Sequence, residues 1–191
     1  MDPETFSVTR VSDTEWHAVD DGRVVGSGDH ALRLDGRTFL SIDSWDDDVF
    51  AALVTTILAD VPGPLNTLVD DFDEALLGRW RDAGFEVAGR EHAYVVATDP
   101  AFTGLAGGQA PAPDPRHLIR IGGRPRQPRV AVLTQDPDLA RALLADTLGS
   151  LHRSGTTTAV LDVPEDEVVT LALLETIGAR LTGTSLELVH R

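Results

Sequence analysis

Two segments of the sequence end in the same way, with a short helical stretch, a glycine and a strand. The first ending reads RWRDAGFEVAGREHAYVV over residues 79–96, and the second reads LLETIGARLTGTSLELVHR over residues 173–191. Gly84 and Gly178 lie 94 residues apart, and glycine accepts the left-handed conformation in which many helices end. Because the order of the elements before each glycine is also shared, we interpret the two segments as a duplication.

A stretch rich in Gly, Ala and Pro separates the two segments. It reads TDPAFTGLAGGQAPAPDP over residues 98–115 and shows no apolar periodicity, so we predict a linker there. The predicted organisation is therefore a first unit over residues 1–97, the linker, and a shorter second unit over residues 116–191.

Local signals predict the elements of both units. In the first unit, Asp-Asp-Gly and Asp-Gly turns indicate two hairpins, and DDDVFAALVTTILADV has the apolar spacing of an amphipathic helix. The strand LNTLVDDF then precedes the short helix that Gly84 ends, and the residues after Gly84 are predicted to form a final hairpin. The second unit is predicted as strands HLIRIGG and PRVAVLT, a helix, the strand TTTAVLDV, a short helix and a closing strand.

Composition excludes several kinds of chemistry. The chain has no Cys and no Lys, so a disulfide, a cysteine nucleophile, a Schiff-base lysine and a P-loop lysine are all excluded. The net charge is −15, and residues 1–100 hold 21 acids against 7 Arg, so we expect binding to neither nucleic acid nor a membrane. No apolar run approaches the roughly 18 residues that span a bilayer, and a cytoplasmic protein is expected. The six histidines show no short ligand spacing, so no metal site is predicted.

The predicted order of a strand, a long helix, a buried strand, a short helix, Gly-Phe and a last hairpin resembles the C-terminal half of the GNAT N-acetyltransferase superfamily. WRDAGFE in the first unit and ETIGARL in the second carry the resemblance. The whole chain resembles a tandem GNAT protein whose second domain is truncated. The resemblance implies an α/β fold of the α+β type, with two GNAT-like units of mostly antiparallel mixed sheets flanked by helices.

The acetyl-CoA loop of that superfamily is altered in both units. There the long helix follows a Q/R-x-x-G-x-G/A loop, whose free N–H groups point at the pyrophosphate of acetyl-CoA. The second unit has QDPDLA, in which Gln135 and Ala140 match and are the cofactor-binding candidates, whereas Asp138 replaces the first glycine. The first unit has SWDDDV over residues 44–49, which matches nowhere. Each of these acids also suits a helix N-cap or first turn.

The proton donor of the superfamily is altered as well. Many GNAT enzymes use a tyrosine on the short helix, seven residues after the strand-to-helix turn, to reprotonate the departing thiolate. Counted from Asp73 and Glu167, that position holds Trp80 and Leu174, and neither side chain is an acid. The resemblance therefore implies that both usual signatures are damaged in both units.

Two charged runs are further candidates. DDFDE over residues 70–74 follows the strand where the GNAT sheet separates to admit substrate. Asp70 or Asp71 would be a general base for an amine or part of a site for a cationic ligand, and the structural alternative is a solvated turn. RHLIRIGGRPRQPR over residues 116–129 has five Arg and no acid; it would pair with the acidic first half or grip a phosphate or an acidic partner.

Two functions follow as hypotheses. The first is a non-catalytic or repurposed GNAT relative with a degenerate acetyl-CoA loop that binds a small amine, a cationic ligand or a protein partner, with no cofactor. The alternative is an active acyl-CoA-dependent N-acyltransferase on a small amine, using acetyl-CoA or another acyl-CoA. Its catalytic candidates are Asp70, Asp71 and Trp80.

Overall fold

The computed structural model of the chain describes residues 6–105, 118–124 and 127–191. Within these residues the strands are β1 (Phe6–Arg10), β2 (Glu15–Asp20), β3 (Arg23–Leu32), β4 (Thr38–Asp43), β5 (Leu65–Asp70), β6 (Glu86–Ala97), β7 (Ile119–Arg124), β8 (Gln127–Val132), β9 (Thr158–Pro164) and β10 (Arg180–His190). The helices are α1 (Asp47–Asp60), α2 (Glu74–Asp82), α3 (Pro100–Thr103), α4 (Pro137–Arg153) and α5 (Val168–Thr176).

The strands are hydrogen-bonded in the order β1-β2-β3-β4-β5-β10-β6-β9-β8-β7. Pairs β1–β2, β2–β3, β3–β4, β6–β9 and β7–β8 are antiparallel, whereas β4–β5 and β8–β9 are parallel. The predicted α/β class with a mostly antiparallel sheet and flanking helices is confirmed. No helix in the described part of the chain is both long and apolar enough to cross a membrane.

Two compact units divide the chain. Unit 1 comprises residues 1–88 together with 186–191, and unit 2 comprises residues 89–185. Residues 98–105 of the predicted linker are structured within unit 2, because they include α3 and a leucine, Leu105, that is buried in the core of that unit. The remainder of the predicted linker, 106–115, lies outside the described residues. The division into 1–97, 98–115 and 116–191 therefore stays a prediction.

The core of unit 1 lies between its strands and the helices α1 and α2. The Asp-Asp-Gly hairpin between β2 and β3 forms as predicted, with a positive φ at Asp21 (44°) and Gly22 (76°) that suits a two-residue hairpin turn. On β3, a Cβ at Gly28 would lie 2.6 Å from Cδ1 of Ile57, so glycine lets α1 pack directly on this strand. The largest fully buried side chains of this core are Trp16, Leu40, Leu53, Ile57, Leu65, Trp80, Phe85 and Leu188.

Unit 2 has its own core, to which α4 contributes Ala140, Leu144 and Leu148. The strand β6 corrects one sequence prediction. Residues 86–97 form the single strand β6 instead of a hairpin, and residues 91–97 of β6 pair with β9, for example Tyr94 with Leu161. Gly89 lies inside this strand, where a Cβ would be 3.2 Å from Oε1 of Glu165. A glycine at this place in the strand allows a close approach of the Glu165 side chain.

The two glycines that end α2 and α5 have the expected left-handed backbone. Gly84 has a φ of 87° and follows the C-cap of α2, and Gly178 has a φ of 69° and follows the C-cap of α5. The N–H of Phe85 bonds to the carbonyl of Trp80, and the N–H of Ala179 bonds to the carbonyl of Leu174, which closes both helices in the same way.

Candidate functional site

The parallel strands β4 and β5 of unit 1 are paired near their amino ends. The register pairs are Thr38 with Leu65 and Phe39 with Asn66, and the buried Asn66 amide donates to the Thr38 carbonyl at 3.1 Å. The pairing of the two strands ends at Phe39 and Asn66, although each strand continues for four more residues. The two strands therefore separate towards their carboxyl ends, where α1 and α2 begin.

A cavity of about 320 Å³ lies beside this separation. Its walls are largely apolar, with Ser41 and Thr67 as hydroxyl groups and Arg33 as a charged group at one side. The Arg33 guanidinium carbon lies 4.2 Å from the ring centroid of Phe39, so the cation covers an aromatic wall. The lining residues come from β3, β4, β5 and α2, with one from the turn after β3: Ala31, Arg33, Phe39, Leu40, Ser41, Ile42, Thr67, Leu68, Leu76 and Trp80.

An ion-pair network supports the strand end next to this cavity. Arg37 donates hydrogen bonds to Asp35 and to Glu187, whose side chain is buried. Burial alone would lower the pKa of the Arg37 guanidinium, but hydrogen bonds and charges from Asp35 and Glu187 outweigh it, so its pKa is raised above the ordinary value. Arg37 is therefore a permanent cation that neutralises a buried carboxylate.

The N-terminus of α1 is capped by the chain itself. One side-chain oxygen of Asp46, Oδ1, accepts hydrogen bonds from the N–H groups of Asp48 at 2.9 Å and Val49 at 3.1 Å. The loop before α1 is also tied to α2, because Arg79 pairs with Asp47 at 2.7 Å and donates to the Ser44 carbonyl at 3.1 Å. Sequence reasoning missed Arg79, since nothing local in the sequence predicts this contact across 32 residues.

The N-terminus of α4 in unit 2 has the same arrangement. Oδ1 of Asp136 accepts from the N–H groups of Asp138 and Leu139, both at 3.0 Å. The first helical residue, Pro137, has no N–H to offer. The predicted cofactor residues lie on either side of this cap: Gln135 is exposed and donates to Glu167, whereas Ala140 is fully buried in the core.

The three catalytic candidates occupy different environments, and their roles stay predictions. Trp80 is 2% exposed and packs edge-on against Phe50 and Phe85, with ring centroids 4.9 and 4.7 Å apart. Asp70 is exposed at the end of β5, and its carbonyl accepts from the N–H of Asp73. Asp71, the next residue, is half-buried. Trp80 thus lines the cavity from its core position, and the two aspartates follow the strand that forms one wall.

Two exposed aromatic residues were not recognised from the sequence. Trp45 follows β4 and is 94% exposed, and Phe72 follows β5 and is 96% exposed. The available signal was an aromatic residue inside an acidic run, in SWDDD and in DDFDE. In the described residues, no group of three or more His, Asp or Glu side chains has an arrangement that could hold a metal ion.

No protein-family model matches the sequence, and no curated protein matches it either. Several solved structures are similar to this chain. A GCN5-related N-acetyltransferase from Sphaerobacter thermophilus is 12% identical, with a TM-score of 0.62 over 95% of this chain and 82% of that chain. A tandem GNAT protein from the clavulanic acid biosynthesis pathway is 12% identical, with a TM-score of 0.58 over 98% and 84% of the two chains.

The chain has the GNAT fold. A conserved protein of unknown function from Staphylococcus epidermidis is also similar, at 11% identity and a TM-score of 0.53 over 96% of this chain and 93% of that one. Identities this low show the fold alone, because one fold hosts many functions. What the GNAT fold of this chain does must therefore be argued from its own residues.

Proposed function

We propose that this GNAT-fold protein binds a ligand in the unit 1 cavity without using acetyl-CoA and without catalysing acyl transfer. One observation carries the proposal. In each unit, the long helix that would hold the pyrophosphate of acetyl-CoA has an aspartate of the chain at its N-terminus. Asp46 accepts two N–H groups of α1, and Asp136 accepts two N–H groups of α4.

A helix N-terminus binds phosphate because its first N–H groups have no partner inside the helix and carry partial positive charge. Here a carboxylate already accepts two of those groups in each unit, so a phosphate would have to displace it. Further carboxylates in the first turn, Asp47 and Asp48 in α1 and Asp138 in α4, would repel the pyrophosphate. The charge and the hydrogen bonds therefore both oppose acetyl-CoA.

The position of the usual proton donor supports the same proposal. Trp80 is buried against two aromatic rings and carries an indole N–H that is not an acid at neutral pH. Leu174, its counterpart in unit 2, is fully buried and has no polar group. Neither unit has a tyrosine at this place to reprotonate a thiolate.

The cavity itself has the properties of a small-ligand site. Its volume of about 320 Å³ lies at the lower end of the roughly 300–1,000 Å³ that ligand sites occupy. Its walls are mostly apolar, with the Ser41 and Thr67 hydroxyls and the Arg33 guanidinium as the groups that could orient a polar end of a ligand. A compact ligand with an apolar body suits this lining.

Thermal unfolding with and without acetyl-CoA tests the proposal. A ligand at a hundredfold excess over its Kd stabilises the folded state by about 2.7 kcal/mol, which corresponds to roughly 5–11 °C in a chain of this size. We expect no shift with acetyl-CoA or with CoA, and no release of thiol from acetyl-CoA with a panel of amines. A clear upward shift together with thiol release would instead establish the alternative, an active acyl-CoA-dependent N-acyltransferase.

A cavity variant tests the second half of the proposal. Leu68→Trp adds bulk at a half-buried cavity wall, whereas Val25→Trp introduces the same side chain on β3 at an exposed position outside the lining. In a thermal-shift screen of compact apolar acids, amines and alcohols, we expect hits on the wild type and on Val25→Trp that disappear in Leu68→Trp. Hits that persist unchanged in Leu68→Trp would contradict binding in this cavity.

A further inference from the structure

Trp45 and Phe72 are the most exposed of the ten aromatic residues, all of which lie in the described part of the chain. Trp45 lies six residues beyond Phe39 and Phe72 lies six residues beyond Asn66, and these two residues form a register pair of the parallel strands β4 and β5. The carboxyl ends of adjacent parallel strands lie at the same edge of a sheet. Trp45 and Phe72 therefore both follow strands that end at one edge of unit 1, which we call the aromatic edge (residues 43–48 and 70–74).

The backbone under both aromatic side chains is held in place. Arg79 of α2 donates to the carbonyl groups of Ser44 and Trp45, so the first loop is fastened to the helix that follows the second. In the second loop, the N–H of Asp73 bonds to the carbonyl of Asp70, and Asp73 then caps α2 through the N–H of Leu76. Because these hydrogen bonds already order the backbone of both loops, binding there costs little further loss of backbone freedom.

The charge around these side chains is strongly negative. The aromatic edge contains eight acids and no basic residue, and within unit 1 the Arg79 side chain pairs with one of the eight, Asp47. Aromatic faces attract ammonium and guanidinium groups, and nearby carboxylates add to that attraction. Phosphate groups are repelled by the same charges, so a nucleic acid does not fit this surface.

We propose that the aromatic edge is a docking surface for a protein partner that presents a segment rich in Arg or Lys. Exposed Trp and Phe rings are typical of the centres of protein interfaces, where they contribute most of the binding energy. A small amine would be covered on one side only, because the two side chains are 94% and 96% exposed. An extended basic segment can contact both rings and several carboxylates together. This proposal goes beyond the ligand cavity and does not depend on the absence of acetyl-CoA binding.

A labelled peptide of alternating Arg and Gly is the probe for this surface. Its binding is measured by fluorescence anisotropy, and the same peptide with citrulline in place of Arg keeps the shape without the charge. Trp45→Ala and Phe72→Ala should each weaken binding of the Arg peptide by about tenfold, as expected for a central interface residue. Phe102→Ala is the matched control, since Phe102 is 78% exposed in unit 2 and should have no effect.

Charge variants separate this surface from general attraction to an acidic protein. Asp48→Asn with Glu74→Gln removes two exposed charges of the aromatic edge that are not helix caps. Asp166→Asn with Glu175→Gln removes two exposed charges of unit 2 and keeps the same net charge as the first variant. We expect the first pair to weaken peptide binding several-fold more than the second, and added salt to weaken binding in both.

Fluorescence quenching reports where the peptide binds. Trp16 and Trp80 are buried, so acrylamide in solution quenches mainly Trp45, and bound Arg peptide should protect it. The proposal is overturned if Trp45→Ala and Phe72→Ala bind the peptide as the wild type does, or if the citrulline peptide binds equally well. It is also overturned if spermidine binds as tightly and protects Trp45, because the occupant would then be a small polycation. Sedimentation showing that Trp45→Ala dissociates a dimer would make the occupant a second copy of this chain.

Discussion

Replacing Asp136 by Ala isolates the contact on which the proposed loss of acetyl-CoA binding depends. Asp136 accepts two N–H groups of α4 at 3.0 Å each, and α4 packs a buried face that includes Leu143, Leu144 and Leu148 into the core of unit 2. Loss of an aspartate N-cap costs about 1 kcal/mol of stability, within a range of roughly 0.5–2 kcal/mol. In a chain of this length, that lowers the melting temperature by roughly 2–4 °C.

Asp136→Asn is the matched control for this prediction. Asparagine keeps a side-chain oxygen that accepts the same two hydrogen bonds and is about as good a cap as aspartate. It removes only the charge, whose interaction with the partial positive charge of the helix end contributes about 0.3–1 kcal/mol at an exposed site. We therefore expect the urea midpoint to fall more in Asp136→Ala than in Asp136→Asn.

The functional measurement adds acetyl-CoA to the wild type and to a double variant. Asp136→Ala with Asp138→Gly frees the N–H groups of α4, removes two like charges and allows a closer approach of the backbone. We expect an upward shift of melting temperature with acetyl-CoA to appear in this double variant and not in the wild type. The reasoning is refuted if Asp136→Ala is as stable as the wild type, or if the wild type binds acetyl-CoA and the double variant binds it less well.

The remaining predictions concern stability and the usual acid position. Gly178→Val should destabilise the fold by about 1–2 kcal/mol, because a residue with a β-carbon disfavours the φ of 69° at this position. Gly78 lies inside α2 with no atom near an added β-carbon, so Gly78→Ala should stabilise the fold by up to about 1 kcal/mol. The free energy of unfolding in urea measures both effects. Trp80→Ala should cost about 3–5 kcal/mol, and Trp80→Tyr should fold without gaining thiol release from acetyl-CoA; activity in the wild type that Trp80→Ala abolishes would contradict this account. Glu187→Gln should cost about 1–3 kcal/mol, because it leaves the Arg37 cation with one carboxylate fewer in a partly buried site, and an unchanged urea midpoint would contradict this estimate.

Much of the fold could be predicted because its signals are local. The turn at Asp21 and Gly22 and the helix stops at Gly84 and Gly178 depend on the backbone conformation of one or two residues. The aspartate caps act on N–H groups within three residues, which is why the acids of this loop could be predicted as N-cap or first-turn residues from the sequence. Apolar periodicity likewise reports on one helix or strand at a time.

The sequence misled where a residue type has more than one use. Glycine occurs in turns and also inside strands: residues 86–97 are predicted as a hairpin, but they form the single strand β6, in which Gly89 lies beside the Glu165 side chain. The same ambiguity applies to tryptophan: Trp80 is buried between aromatic rings, whereas Trp45 is almost fully exposed in an acidic loop. Composition and local pattern do not distinguish these cases.

The sequence by itself determined most of the strands and helices, the glycines that follow α2 and α5, and the acids near the helix N-termini, but it predicted neither the single strand β6 nor α3. The tertiary structure alone decided that β4 and β5 separate beyond Asn66, that Arg79 fastens the loop of Trp45, and that Glu187 neutralises Arg37 from 150 residues away. The reason is physical. Turns and caps are hydrogen bonds within a few residues, whereas strand pairing, burial and buried ion pairs depend on groups that only the folded chain brings together.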